Sequence, residues 1–198
     1  WGIFDRDDCI SGANYLVKEK LVDPEHLAIL GHGKGGFTAL SALTHSDVFK
    51  AGASYNGATD LEKMVTSKFE SHYLDMLIGR IKDFKERYVS RSPIHQNNTI
   101  DVPTIFFRGS WNNESHTKDI EEMYKAVRDK ELPTASILLE GSSDYVDTTS
   151  RQYALEAEMF FFATVFHIEL PDVASNIEID NLEKWKAEYQ RWTKLQID

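Results

Sequence analysis

Short apolar runs alternate along the chain with longer stretches in which apolar residues recur at helical spacing. Turn-forming residues bound these runs, which is typical of strands buried in a parallel sheet. The runs lie within His26–Leu30, Val48–Tyr55, Thr104–Phe107 and Ala135–Leu139. The helical stretches are Asp8–Leu21, Phe37–Leu43, Asp60 to about Arg91 with a break near Gly79, Ile120–Arg128 and Ala154–Phe166. Strands alternating with helices predict an α/β fold with a mostly parallel sheet and right-handed crossovers.

The pattern changes beyond Pro171, so we expect two parts, residues 1–170 and a C-terminal extension over residues 171–198. The extension contains a polar stretch, Asn181–Leu195, that is predicted to be helical. One face of this helix carries four large side chains, Leu182, Trp185, Tyr189 and Trp192. Such a face is expected to dock on another surface. A dimer or interdomain contact through the three aromatic residues is one interpretation, and packing on the chain's own domain is the other.

Composition and charge exclude several classes of partner. The chain has 198 residues, of which 41% are hydrophobic, so it can bury one good core. The formal net charge of -10 repels nucleic acid and anionic lipid, so neither is expected as a partner. No apolar run approaches the roughly 18 residues that cross a membrane. The one cysteine, Cys9, cannot form an internal disulfide, which leaves the compartment open, with the cytoplasm favoured.

A glycine-rich run, GHGKGG at residues 31–36, follows the first predicted strand and precedes a predicted helix. The N-terminus of a helix offers free N–H groups and a partial positive charge, so such a turn can build a binding site. The run matches the dinucleotide pattern G-x-G-x-x-G. That pattern also needs an acidic residue at the end of the next strand, which ends instead in YNG at residues 55–57. Lys34 does not complete a phosphate-binding loop either, so phosphate or dinucleotide binding is the least favoured interpretation.

The same run fits a nucleophile elbow, G-x-S-x-G, in which glycine replaces the serine. The elbow then comprises Gly31, His32, Gly33, Lys34 and Gly35, with Gly33 at the position of the nucleophile. Gly31 and Gly35 meet the elbow's demand for small residues two positions before and after it. An elbow nucleophile has a strained backbone conformation that glycine adopts freely, so losing the serine preserves the turn. A third interpretation is that the glycines only let helix and strand pack closely.

Blocks of sequence on both sides of this turn resemble the prolyl-oligopeptidase family (peptidase S9), acylaminoacyl-peptidase-like members especially. The blocks are WGI at 1–3, DDC at 7–9, LVDP at 21–24, DVFKAG at 47–52, KFES at 68–71, YL at 73–74 and RSPI at 91–94. The similarity runs from Trp1 to about His167. It implies an α/β-hydrolase fold with three α/β/α layers, of which this chain supplies roughly the last four strands. The rest of the domain is then expected on a preceding segment, because half a sheet would expose an apolar edge.

The resemblance also places the catalytic triad of the family on three positions, and none carries the catalytic residue. The serine position falls on Gly33, the acid on Asn112 and the histidine on Asp144. Gly33 has no hydroxyl, so an acyl-enzyme cannot form there. The carboxylate of Asp144 is too weak a base to activate an alcohol. Asn112 cannot stabilise an imidazolium, and in a working serine protease this change alone costs about 10⁴ in rate.

We therefore expect a domain of the serine peptidase family that has lost hydrolase activity and now binds or scaffolds, with a peptide or protein as its ligand. The rival interpretation is an active peptidase or esterase that uses displaced residues. His32 is the best substitute base, but an elbow should direct its side chain away from the nucleophile's cavity. The loop serines Ser110, Ser142 and Ser143 are interpreted as solvated or capping residues.

Two further histidines, His95 and His116, are predicted to lie on the surface. No spacing of histidine, cysteine and acidic residues along the chain suggests zinc. Neither a metal nor a cofactor is therefore expected from the sequence.

Overall fold

A single parallel sheet organises the chain in the computed structural model, which describes residues 1–65, 68–110, 114–141, 147–170 and 177–195. Its strands are β1 (Ala28–His32), β2 (Ala51–Tyr55), β3 (Thr104–Gly109) and β4 (Thr134–Leu139). They lie side by side in chain order, and every neighbouring pair is parallel. The predicted parallel sheet and all four predicted strands are confirmed.

Helices separate the strands and cover both faces of the sheet. They are α1 (Phe4–Lys18), α2 (Lys34–His45), α3 (Lys68–Leu77), α4 (Ile81–Arg91), α5 (Glu114–Asp129), α6 (Thr148–Val165) and α7 (Leu182–Leu195). Two 3-10 helices, Pro24–His26 and Pro93–Thr99, precede β1 and β3. None of the helices within the described ranges is long and apolar enough to cross a membrane.

The two faces of the sheet have separate cores. On one face, α2 and α5 pack on the sheet through Leu40, Phe106 and Met123, all nearly inaccessible to solvent. On the other face, α6 supplies Ala157 and Phe161 against apolar residues of β2, β3 and β4. Burial of β2 and β3 on both faces explains why these strands appear as continuous apolar runs, and the α/β/α arrangement confirms the predicted fold class.

Several predicted boundaries are wrong. The strand predicted over His26–Leu30 begins two residues later and continues through His32, so the turn that follows it is shorter than the whole glycine run. The first helix ends at Lys18 instead of Leu21 because Lys20 has a φ of 58°, which leaves the helical region. The strand predicted from Val48 begins at Ala51.

The charged stretch after β2 is not helical from Asp60. The carboxylate Oδ1 of Asp60 accepts hydrogen bonds from the backbone N–H groups of Glu62 (2.9 Å) and Lys63 (3.4 Å). These bonds stabilise a turn instead of a helix interior. Helix α3 begins only at Lys68. The predicted break near Gly79 is confirmed, because this glycine has a φ of 101° between α3 and α4.

Candidate functional site

Gly33 forms a one-residue turn between the end of β1 and the start of α2. Its backbone has φ 53° and ψ -111°, a region that favours glycine. The N–H of Gly33 donates to the carbonyl of Tyr55 at 2.7 Å, which ties the turn to the end of β2. The carbonyl of Gly33 accepts from the N–H of Phe37 at 3.1 Å and so starts the helix. The strand, turn and helix therefore meet at the carboxyl edge of the sheet, where open α/β sheets bind ligands.

Close backbone contacts around the turn require glycine at two positions. A Cβ on Gly31 would lie 2.2 Å from the carbonyl carbon of Gly35, and one on Gly36 would lie 2.7 Å from the Cα of Gly57. A Cβ on Gly35 would meet nothing within 4 Å of the described chain. Among the described residues the close contact falls on position 36, and the size requirement expected at position 35 stays a prediction.

The ring of His32 lies on the face of the sheet that α6 covers. It stacks on Tyr55, with centroids 4.0 Å apart, and Tyr55 stacks on Phe107 at the same separation. The hydroxyl of Tyr55 donates to the carbonyl of Ala154 in α6 at 3.4 Å. The ring of His32 is exposed to solvent and lies on the side of the sheet that α6 covers, away from α2 and α5.

The inner side of α6 holds a carboxyl group close to these rings. Burial raises the pKa of Glu158, and its hydrogen bond with Tyr55 and the charge of His32 act in the opposite direction. Burial also raises the pKa of Tyr55, and the charge of Glu158 adds to this. Tyr55 is therefore a neutral phenol at physiological pH and acts as a hydrogen-bond donor.

Lys34 is exposed to solvent, and its ammonium contacts an aromatic ring. Its ammonium lies 3.7 Å from the ring centroid of Tyr73 in α3, within the range of a cation–π contact. This contact connects the first residue of α2 to the helical segment that follows β2.

A cavity of 660 Å³ lies at the carboxyl edge, between the segment after β2 and the start of α5. Asp60, Glu62, Lys63, His116 and Asp119 supply the titratable side chains of its wall together with Glu114. The ammonium of Lys63 lies 2.6 Å from a carboxylate oxygen of Asp119 and 3.6 Å from one of Asp60. The hydrogen bond with Asp119 is the main cause of a raised pKa of Lys63.

His116 is half-buried in the wall of this cavity, so its predicted surface position is wrong. Burial lowers the pKa of His116, while the charge of Asp119 and a hydrogen bond with the backbone of Asn56 act in the opposite direction. The side chain of Asn56 in turn accepts from the N–H of Gly109 at 2.7 Å, which joins the ends of β2 and β3. Because this burial depends on two separate loops, the sequence around position 116 carried no signal of it. His95 is exposed, as predicted.

Two of the three triad positions, Asn112 and Asp144, lie outside the described residues, as do Ser142 and Ser143. Their convergence on Gly33 therefore stays a prediction. Ser110 is described and exposed, and its backbone N–H donates to the carbonyl of Leu139 at 2.9 Å.

The C-terminal helix α7 contacts the end of α6 in the same chain. The indole N–H of Trp185 donates to the carbonyl of Val165 at 3.2 Å, and Tyr189 stacks on His167 with centroids 3.4 Å apart. Just before α7, Asp180 forms an antiparallel bridge with Thr134 of β4. The side chain of Trp192 lies outside the described part of the structure. A dimer or interdomain contact through this face stays a prediction, as does the division at residue 170.

A parallel sheet between two helical layers, with a tight strand–turn–helix at its carboxyl edge, is the arrangement of an α/β-hydrolase domain. The chain belongs to the prolyl oligopeptidase family, whose family model matches residues 1–168.

Solved structures and a curated relative agree with this assignment. A puromycin-hydrolyzing peptidase of Mycobacterium tuberculosis is 35% identical, with a TM-score of 0.83, and the match covers 89% of this chain and 28% of that one. A puromycin hydrolase is 31% identical, with a TM-score of 0.82, over 90% of this chain and 28% of the other. Dipeptidyl aminopeptidase BIII of Pseudoxanthomonas mexicana is 23% identical over 146 residues, which are 70% of this chain and 21% of that protein. The chain therefore spans less than a third of the length of these relatives.

Proposed function

We propose that this chain is a peptidase-like domain that has lost serine-hydrolase activity and acts in binding or scaffolding. The observation that carries the proposal is the glycine at the turn between β1 and α2. Gly33 has an elbow-like backbone with φ 53° and ψ -111°, yet it has no hydroxyl. A serine hydrolase needs an oxygen nucleophile at that position to form its acyl-enzyme.

The surroundings of the turn support the same proposal. The imidazole of His32, the nearest substitute base in sequence, stacks on Tyr55 in the layer formed by α6. A general base has to lie within about 3 Å of the proton that it removes. Because Gly33 offers no proton to remove, His32 has no nucleophile to activate at this turn. The positions that the resemblance assigns to the acid and the histidine carry Asn112 and Asp144, so neither catalytic residue stands at its expected place in the sequence.

We further propose a peptide or an extended protein segment as the ligand, held at the carboxyl edge of the sheet. The cavity of 660 Å³ between the segment after β2 and the start of α5 has the size of a small-ligand site. The relatives include a puromycin-hydrolyzing peptidase and a dipeptidyl aminopeptidase, and peptidases act on ligands that contain amide bonds. Close backbone contacts at Gly31 and Gly36 maintain the tight turn at the same edge of the sheet.

A fluorophosphonate probe tests the loss of activity in the intact protein that contains this chain. We expect no serine within residues 1–198 to be labelled, because no activated serine is available. A puromycin-hydrolysing relative serves as the positive control for the probe. Labelling of one serine, mapped by mass spectrometry, would show that a displaced residue has taken over and would establish the rival interpretation.

The single substitution Gly33→Ser provides a second test. We expect no measurable peptidase or esterase turnover, since a serine alone lacks a base and an orienting acid. Gly33→Ala is the matched control, because it adds the same Cβ without the hydroxyl. Turnover in the serine variant but not in the alanine variant would mean that a working base and acid do converge on the turn.

A further inference from the structure

Two segments far apart in the sequence are held together beside the cavity. The backbone N–H of Leu61 donates to the hydroxyl of Ser92 at 2.8 Å, and the N–H of Ile94 donates to the carbonyl of Thr59 at 3.1 Å. Ser92 is fully buried, and its hydroxyl donates to the carbonyl of Tyr88 at 2.7 Å. These bonds fix the segment after β2 against the 3-10 helix Pro93–Thr99.

Three metal-ligating side chains meet where these segments touch. One ligand atom each from Asp60, Glu62 and His95 lies within 4.8 Å of the others. Zinc binds imidazole nitrogen and carboxylate oxygen at about 2.0–2.2 Å, which puts ligands of one ion about 3.4 Å apart. Glu62 is half-buried and His95 is exposed, so small rotations of these side chains can bring the ligand atoms to the separation that zinc requires.

The carboxylate of Asp60 is held in place and has an oxygen left for an ion. Asp60 is only 8% exposed, and its Oδ1 accepts the N–H of Glu62 at 2.9 Å. Its Oδ2 lies 3.6 Å from the ammonium of Lys63, which is longer than a hydrogen bond. Among the described residues no hydrogen bond reaches this oxygen, and a buried carboxylate oxygen in that position is available as a ligand for a cation.

An orphaned hydroxyl beside the cluster is a second, independent sign of a ligand. Thr59 is 1% exposed and lines the same cavity, and its Oγ1 has no hydrogen-bond partner among the described residues. Buried hydroxyls are rarely left without a partner, and an ion or its bound water is one explanation for such a group.

Two lysines near the cluster do not block an ion. Lys63 makes its short contact with Asp119 at 2.6 Å, and Lys85 lies 3.5 Å from Glu62. Both ammonium groups are on exposed side chains that can move away. A directly coordinated divalent ion replaces the contacts of Lys63 with Asp60 and of Lys85 with Glu62 by bonds of about 2 Å.

We propose that Asp60, Glu62 and His95 bind one divalent transition-metal ion beside the cavity, whose wall includes Asp60 and Glu62. One nitrogen and two oxygen ligands suit zinc, and three protein ligands leave one coordination position of a tetrahedral ion open. The site does not use the triad positions, so its presence is independent of the function proposed above.

Zinc binding to the intact protein tests the site. The protein is first treated with a chelator and dialysed, and zinc is then added in a calorimetric titration. We expect saturable binding, with one equivalent of zinc that the unmodified protein binds and His95→Ala does not. Loss of a direct ligand should weaken this binding at least tenfold, since even outer partners of a metal site contribute about 10–100-fold. Asp60→Asn should weaken zinc binding in the same way, because it removes the charge of the ligand. The amide oxygen can still accept the N–H of Glu62, so the turn is maintained.

His72→Ala is the matched control, because it removes an exposed histidine on α3. It should bind zinc as the unmodified protein does. Circular dichroism of each variant shows whether the fold is retained. The proposal is wrong if no saturable binding occurs, or if His95→Ala and His72→Ala bind zinc equally well.

Discussion

Gly33 and Gly35 lie two positions apart, and the two positions differ in which residue types they can accept. Gly33 has a positive φ of 53°, whereas Gly35 lies in the first turn of α2, and a Cβ at either position would meet no described residue within 4 Å. The sequence run predicted the turn and its glycine-specific backbone but assigned the second close contact to position 35. The contact between Gly36 and Gly57 joins two crossovers, so only the folded chain reveals it.

The substitutions Gly33→Ala and Gly35→Ala should therefore change stability in opposite directions. Alanine at position 33 is expected to lower the free energy of unfolding by about 1–3 kcal/mol, because a non-glycine residue is strained there. Alanine at position 35 should be neutral or stabilise by up to about 1 kcal/mol, through helix propensity. Urea denaturation of both variants measures the difference. Equal effects would contradict the strained turn.

At the scale of elements, the docking of α7 depends on a histidine ring. His167 stacks on Tyr189 where the end of α6 meets α7. Burial lowers the pKa of His167, and the nearby charge of Lys186 adds to this. The sequence predicted the helix and its aromatic face, but the partner of that face lies across a loop and could not be read from periodicity.

The docking of α7 should weaken in acid. Because the folded pKa of His167 is below its ordinary value of 6.5, the contact contributes its full stability above 6.5 and loses it as the pH falls through the folded value. Hydrogen exchange of the Trp185 indole N–H, followed by NMR between pH 7.5 and 5, reports this docking. After correction for the slower intrinsic exchange in acid, the loss of protection on acidification should be smaller in His167→Phe, which keeps an aromatic ring but cannot be protonated. An identical pH response in both proteins would rule out His167 as the cause.

At the scale of the whole molecule, β1 forms one edge of the sheet, and no strand of the described residues pairs with its outer side. Leu30 in the middle of β1 is 49% exposed, whereas β2 is buried along its whole length. An exposed edge strand with apolar side chains is a site for pairing with another strand. The family relatives are more than three times as long as this chain, which agrees with a further segment beside β1.

We therefore predict that a strand from a preceding segment pairs with β1 in the intact protein. Hydrogen–deuterium exchange should show the β1 amides that do not bond to β2 as strongly protected in the intact protein. The same amides should exchange quickly in a fragment limited to residues 1–198. Fast exchange of these amides in the intact protein would contradict the prediction.

The order of elements, the parallel sheet and the family could be predicted from the sequence alone. Buried parallel strands appear as local apolar runs, and the turn at residues 31–36 is encoded by neighbouring glycines, so both signals survive without coordinates. Tertiary structure alone decided the burial of His116, the stacking of His32 on Tyr55 and the meeting of Asp60 with His95. Each of these depends on crossovers that bring distant loops to one edge of the sheet, and no local spacing records which loops will meet.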